Sequence, residues 1–392
     1  MSEKKEIIKD IITLLRVAMS LEALTIPPYM TAYWSIKKSP NTDANEKAKE
    51  IIHSVAMEEM LHMMSVGNII ASLDYCPLFY HKSNTLEKWG QDKLPILGIP
   101  IDLTPFSIEQ VEKFLEIEKP VKPIDIKLAS EDNFPRTNFQ ENEEEIKTLE
   151  DDLENTSDID LKLNRIKEEV FIPNGELNII SEELENKVKA CKTIGEFYTL
   201  LISELKKLED EDFGKKGLSQ LDLSYDPRIG GIDQRTIPSF VVDNKLKAIK
   251  LLQWVVDQGE GNQGNDDNPQ DEDGELAHYY RFLQITKGME IVKNEQSGVF
   301  EFDPSKSFVV DKNNVYKFTN NQSIYDLISI DTLANFDDNY FKMFKELQSF
   351  YLTGERRFVM QSFDYMVKLT SDANRLMELG VCPTFQFKES IK

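Results

Sequence analysis

The sequence of 392 residues predicts an all-α fold centred on a bundle of four helices. Two observations predict it. Long stretches carry apolar residues at helical spacing, and the motif Glu-x-x-His occurs twice, as Glu59-Met60-Leu61-His62 and Glu275-Leu276-Ala277-His278. On a helix, residues three apart share a face, so each motif sets a carboxylate beside an imidazole. Two such motifs, with one more Glu from each of two further helices, are a known way for a helical bundle to hold two iron or manganese ions. The chain has only 4 histidines, and these motifs use half of them.

Residues 5–38 read as a first helix, with Ile8, Ile11, Leu15, Ala18, Ile26 and Tyr29 on one stripe. Pro27-Pro28 falls inside it and predicts a kink or break. Residues 45–73 form a second helix whose stripe is Ile52, Val55, Glu59, His62, Val66, Ile69 and Leu73. From Pro77 to Pro135 the texture is proline-rich, with one short helix expected at 107–118. The stretch 141–169 is strongly acidic and reads as a solvated insertion. Further helices are expected at 193–211, at 242–258 and from Gly274 onward, the last carrying the second motif. A glycine- and acid-rich loop from Gly259 to Pro269 lies between the last two. Segment 299–318 contains short extended pieces, and 337–379 returns to helical spacing. This divides the chain into a bundle over 1–295, interrupted by an insertion at 77–190, and an α-helical extension over 296–392 packed on it.

Length alone suggests about two to three domains. Hydrophobic content of 40% and charged content of 29% are ordinary for a globular protein. A net charge of −23 argues against nucleic acid or an anionic membrane as partner, since both require basic patches. Cys76, Cys191 and Cys382 are far apart and show no CxxC spacing, so neither a zinc site nor a disulfide framework is indicated. The N-terminal apolar run is interrupted by Lys9, Asp10 and Arg16, which fits an amphipathic helix better than a signal peptide. No stretch approaches the ~18 uncharged apolar residues of a membrane span. A cytoplasmic location is expected.

Glu59 and His62 sit in the most apolar stripe of their helix, where an unpaired charge costs several kcal/mol. They are metal ligands or a buried hydrogen-bonded pair. Glu50 and His53 repeat the spacing, but lie about 180° around the helix and read as surface residues. His81 has no Glu at this spacing. Glu22 follows Leu15 and Ala18 on the stripe of the first helix. His278 shares a face with Glu275, Phe282, Ile285 and Met289. Glu275 lies in a first turn, where the helix dipole favours an acid anyway. Glu196 fits a capping box, Thr193-Ile194-Gly195-Glu196, so capping and ligation stay open, with Glu204 in reserve. Glu260 by spacing alone is a loop acid.

Leu21-Glu22-Ala23-Leu24-Thr25-Ile26-Pro27-Pro28-Tyr29 and Glu58-Glu59-Met60-Leu61-His62 resemble the N-terminal signatures of the ferritin-like iminophenyl-pyruvate dimer synthase family. That family includes ferritin-like parts of the enzymes that make bis-indole precursors of violacein, rebeccamycin and staurosporine. Gly195-Glu196-Phe197-Tyr198, Gln258-Gly259-Glu260-Gly261, Glu275-Leu276-Ala277-His278-Tyr279-Tyr280-Arg281-Phe282 and Gly380-Val381-Cys382-Pro383-Thr384-Phe385 follow in the family's order. The resemblance implies a ferritin-like bundle and strengthens Glu196, Glu260 and His278 as ligands. The acidic insertion has no counterpart in these signatures, and the very long additional region of the dimer synthases is missing. The expected ligand set is therefore Glu22, Glu59, His62, Glu196, Glu260, Glu275 and His278. Two Fe ions, or Mn, suit these donors, and O2 is the expected co-substrate.

The implied function is an O2-dependent oxidase or oxygenase of secondary metabolism, acting on an amino acid or amino-acid-derived imine. The alternative is a non-catalytic metal-binding or storage protein. Tyr29, Tyr198 and Tyr279 neighbour the ligands in sequence, as radical or packing residues. Besides a small-molecule substrate, the partner left open is a second copy of the chain.

Overall fold

The computed structural model describes residues 3–40, 42–129, 181–222, 240–261, 268–272, 274–318 and 325–387. The acidic stretch at 141–169 and most of the loop after Gly261 lie outside the described residues. Two long helices, α1 (Glu3–Ser35) and α2 (Ala44–Ser72), pack along their lengths. The short helix α3 (Ile108–Ile117) and α4 (Glu182–Ala190) follow, then α5 (Ile194–Leu205), α6 (Lys245–Glu260) and α7 (His278–Lys287). Helices α1, α2, α6 and α5 close a ring in which each packs on the next, and this ring is the bundle. The helix α7 packs on α2 and α6, and α3 packs on α7.

Of the kink or break expected at Pro27-Pro28, the break is not there: α1 runs through both prolines. Each costs an amide donor and crowds the carbonyl four residues back, about 3 kcal/mol or more. Leu21, Leu24, Ile26, Tyr29 and Trp34 around them are all buried. Burial of such side chains contributes roughly 1.5–3 kcal/mol each, enough to hold the helix where its hydrogen-bond ladder is interrupted. The Thr31 hydroxyl also donates to the Pro27 carbonyl at 2.7 Å.

Side-chain caps open several helices, and the one at Thr193 was expected from the sequence. Ser107 Oγ accepts from the Gln110 amide at the start of α3, and Thr193 Oγ1 accepts from the Glu196 amide at the start of α5. A small sheet includes the extended segment expected within 299–318. Strand β1 (Lys127–Leu128) pairs in parallel with β3 (Phe300–Ser307), and β2 (Met289–Lys293) pairs antiparallel with β3. Beyond it, α8 (Leu327–Thr353) and α9 (Arg356–Leu379) form a hairpin. It is tied to the bundle by Tyr351, whose hydroxyl donates to Asn68 Oδ1 at 2.8 Å, and by Gln348, which accepts from the Phe79 amide at 2.9 Å. One apolar cluster runs from α1 to Phe385. No described helix is long and apolar enough to cross a membrane.

Candidate metal centre

Five ionisable side chains meet inside the bundle. Glu22 comes from α1, Glu59 and His62 from α2, Glu118 from the residue that closes α3, and His278 from the first residue of α7. They fall into two groups, Glu22–Glu59–His62 and Glu59–Glu118–His278, and within each group the ligating atoms lie within 4.8 Å of one another. Glu59 belongs to both. Every one is at most 4% exposed.

The two imidazoles are stacked, with ring centroids 5.4 Å apart. Each turns one nitrogen inward and anchors the other. His62 Nε2 donates to Gln258 Oε1 at 2.8 Å, leaving Nδ1 3.6 Å from Glu22 Oε2 and 3.8 Å from Glu59 Oε2. His278 Nε2 donates to Glu58 Oε2 at 2.9 Å, and its Nδ1 lies 2.9 Å from Glu59 Oε1 and 3.5 Å from Glu118 Oε2. Consecutive acids on α2 thus bracket one ring, Glu58 at its outer nitrogen and Glu59 at its inner one. Arg281 completes the anchor, donating Nη1 to Glu58 Oε1 at 2.7 Å and Nη2 to Glu275 Oε2 at 3.0 Å.

The carboxylates are held too. The Tyr198 hydroxyl donates to Glu22 and the Tyr29 hydroxyl to Glu118. Thr25 Oγ1 donates to the Glu22 carbonyl at 2.8 Å and lies 3.3 Å from Glu59 Oε2. Both phenols are buried, and Tyr29 is wedged edge-on between Phe114 and Phe282.

Burial, then the neighbouring Glu59 charge, pushes the Glu22 carboxyl up to about 8. Burial and Glu59 raise Glu118 as well. Burial alone would raise Glu59, but hydrogen bonds from Glu22 and both imidazoles hold it well below the usual carboxylate range. For His62 burial works downward, and Glu22 and Glu59 overcome it to hold the ring at about 10. His278 is likewise raised against burial by Glu118, Glu58 and Glu59. Glu58 is held at about 2, because the Arg281 charge and His278 outweigh its burial. In the absence of a cation the cluster must carry protons.

The donor set fits two metal ions. His278 Nδ1 is buried and makes no hydrogen bond although carboxylate oxygens face it. With Nε2 donating to Glu58, Nδ1 faces those oxygens either with a proton, as the raised ring carries in the empty cluster, or with its lone pair on a cation held between them. Carboxylate and imidazole without thiolate suit iron or manganese. Burial pushes the Cys76 thiol up to about 12, which makes it inert, and neither group contains a cysteine.

Of the seven residues expected to ligate, the structure brings Glu22, Glu59, His62 and His278 together and seats the other three elsewhere. Glu196 turns back to accept at 2.6 Å from the amide of Lys192, the residue just before the Thr193 cap, and stays away from the centre. Glu260 ends α6 and accepts from the Gly195 amide at 2.8 Å, capping α5 from another helix. The helix α7 starts at His278, so Glu275 precedes it and the one-turn spacing never applies. Its half-exposed carboxylate holds Arg281.

Glu50 is exposed and His53 lies against Tyr33, away from the centre. His81 is buried in the connection after α2, where Ser83 partners its ring. Tyr279 packs on Tyr280 rather than beside a ligand. Three residues of the site were not anticipated. Glu118 carries a legible signal, since it continues the apolar stripe of Val111 and Phe114. Glu58 and Gln258 belong to the quoted motifs, but their bonds to histidines far away in sequence are not written locally.

Comparison with known proteins bears on the fold. A family model described as ferritin-like matches residues 15–287, which run from α1 to the end of α7. No curated protein matches. The crystal structure of a ferritin-like protein from Caulobacter vibrioides superposes with a TM-score of 0.55 at 18% identity, covering 96% of this chain and 98% of that one. Likeness at that identity speaks for the fold alone. With the family match spanning more than half of its length, the chain belongs to the ferritin-like family.

Proposed function

We propose that the protein is an O2-dependent dimetal oxidase or oxygenase, with iron or manganese in the buried centre and an amino acid or amino-acid-derived imine as substrate. One observation carries the metal part of this reading: two buried Glu/His groups share Glu59, and an inner imidazole nitrogen between carboxylates lacks any hydrogen bond. The motif resemblance supports the substrate class, as an analogy of family and not of geometry.

In this reading Glu22, Glu59 and His62 hold one ion and Glu59, Glu118 and His278 the other. Three carboxylates offset three of the four positive charges that two divalent ions bring. When bound, such a pair supplies two-electron reduction of O2 coupled to oxidation of a neighbouring substrate. Tyr198 and Tyr29 keep the outer carboxylates oriented by hydrogen bonds to Glu22 and Glu118. Gln258 and Glu58 fix the tautomers, so that each ring offers Nδ1. Both phenols and Thr25 also place transferable protons within reach of ligand oxygens.

Anaerobic loading with Fe(II), followed by O2 in the presence of an aromatic amino-acid imine, tests the reading. Sustained O2 consumption with loss of the imine is the expected result. Uptake that stops after one round of metal oxidation, with the imine intact, would establish a non-catalytic metal-binding protein instead.

A further inference from the structure

We propose that the two metal positions are unequal, and that the Glu58–Arg281 pair makes the His278 position the tighter one. The inference rests on the dimetal reading. The two halves match in most respects: each offers one private carboxylate, the shared Glu59 and one Nδ1, and each private carboxylate receives one tyrosine hydroxyl. They differ in what holds the imidazole from behind. Behind His62 stands a neutral amide, Gln258 Oε1 at 2.8 Å. Behind His278 stands a carboxylate, Glu58 Oε2 at 2.9 Å, itself clamped by Arg281.

A hydrogen bond to an ionised acceptor is roughly twice as strong as one between neutral groups. It transfers more electron density through the ring to Nδ1, and so to the ion that Nδ1 binds. Burial removes the water that would level the difference, since Glu58 is 3% and His278 0% exposed. Arg281 keeps the acceptor a carboxylate, because a guanidinium stays charged at any working pH. It is itself fixed from three sides, by Ser54, by Glu275 and by the Leu276 carbonyl.

The opposing consideration is rigidity. Glu22 and His62 stand on the two longest bundle helices, whereas Glu118 and His278 stand at helix ends. The tyrosine on Glu118 has its equal on Glu22, so the answer lies in Glu58, which, clamped by Arg281, pins the His278 ring. Glu58, Arg281 and Glu275 are therefore positioning residues for one ion of the pair. Partners of this kind are worth about 10–100-fold in metal affinity.

The test is titration of the metal-free protein with Mn(II), read by calorimetry and by electron paramagnetic resonance. In the native protein the first equivalent should give the spectrum of an isolated ion and the second a coupled pair, with the two dissociation constants at least about tenfold apart. Glu58→Gln should weaken the first step about 10–100-fold and merge the two. Gln258→Glu, which leaves the buried Arg281 paired, should tighten the second step, and it decides the matter if Glu58→Gln fails to fold. Coupled pairs from the first addition, or a Gln258→Glu isotherm that overlays the native one, overturn the inequality and leave two ions bound. Fewer than two ions per chain overturns the dimetal reading itself.

Discussion

At the scale of residues, the centre is a set of protons that a cation must displace. The Glu22 carboxyl, raised to about 8, and the His62 ring, raised to about 10, are both protonated near neutrality and must both be deprotonated to ligate. Metal uptake should therefore release about two or more protons per pair of ions and tighten as pH rises through about 8 toward about 10. Calorimetry in buffers of different ionisation enthalpy reads the count directly. An uptake that releases no protons contradicts this assignment. The same geometry separates two superficially equal motifs on α2. Glu59→Ala and Glu118→Ala should each reduce bound metal below two ions, whereas Glu50→Ala and His53→Ala should leave it unchanged. Elemental analysis after loading and desalting distinguishes them.

At the scale of elements, a helix end caps a helix start. A Cβ on Gly195 would lie 2.4 Å from the Glu260 carboxylate, so Gly195→Ala must expel that side chain from the α5 N-terminus. The expected cost is about 1 kcal/mol, the worth of a helix cap, with both metal ions retained. Chemical denaturation with metal analysis checks both halves of the statement. Glu260 also shows where sequence stops being informative: its partner amide is 65 residues away, and nothing local to Gln258-Gly259-Glu260-Gly261 names it. Glu22, Glu59 and His62 were legible because a charged group on an apolar stripe must be paired or ligated. The helices expected at 5–38, 45–73 and 107–118 were legible from periodicity within a few residues at their ends, whereas α4 was not anticipated and α8 starts ten residues before the expected 337. Two features were not. Proline rules read locally break α1, whereas the burial of Tyr29 and Trp34 is tertiary. The start of α7 is set by packing, and that one boundary removes Glu275 from the face it would share with His278.

At the scale of the whole molecule, the centre joins elements that are distant in the chain. Three of the candidate ligands come from the α1–α2 pair, one from α3 and one from α7. An ion pair bound only by the folded state stabilises it in proportion to its occupancy, about 2.7 kcal/mol at a hundredfold excess over the dissociation constant. Chelation should lower the melting temperature and speed hydrogen exchange in α3 and α7 before α1 and α2. Equal acceleration everywhere would mean that the metal holds no particular element. The order of the ligands along the chain also sets an order of assembly. During synthesis from the N-terminus, Glu22, Glu59 and His62 leave the ribosome together, and the α1–α2 hairpin can close on local contacts. Glu118 follows, but His278 arrives only 216 residues after His62. A nascent chain can therefore offer half a centre long before it offers a whole one, and the last ligand to emerge is the clasp that locks an ion in place.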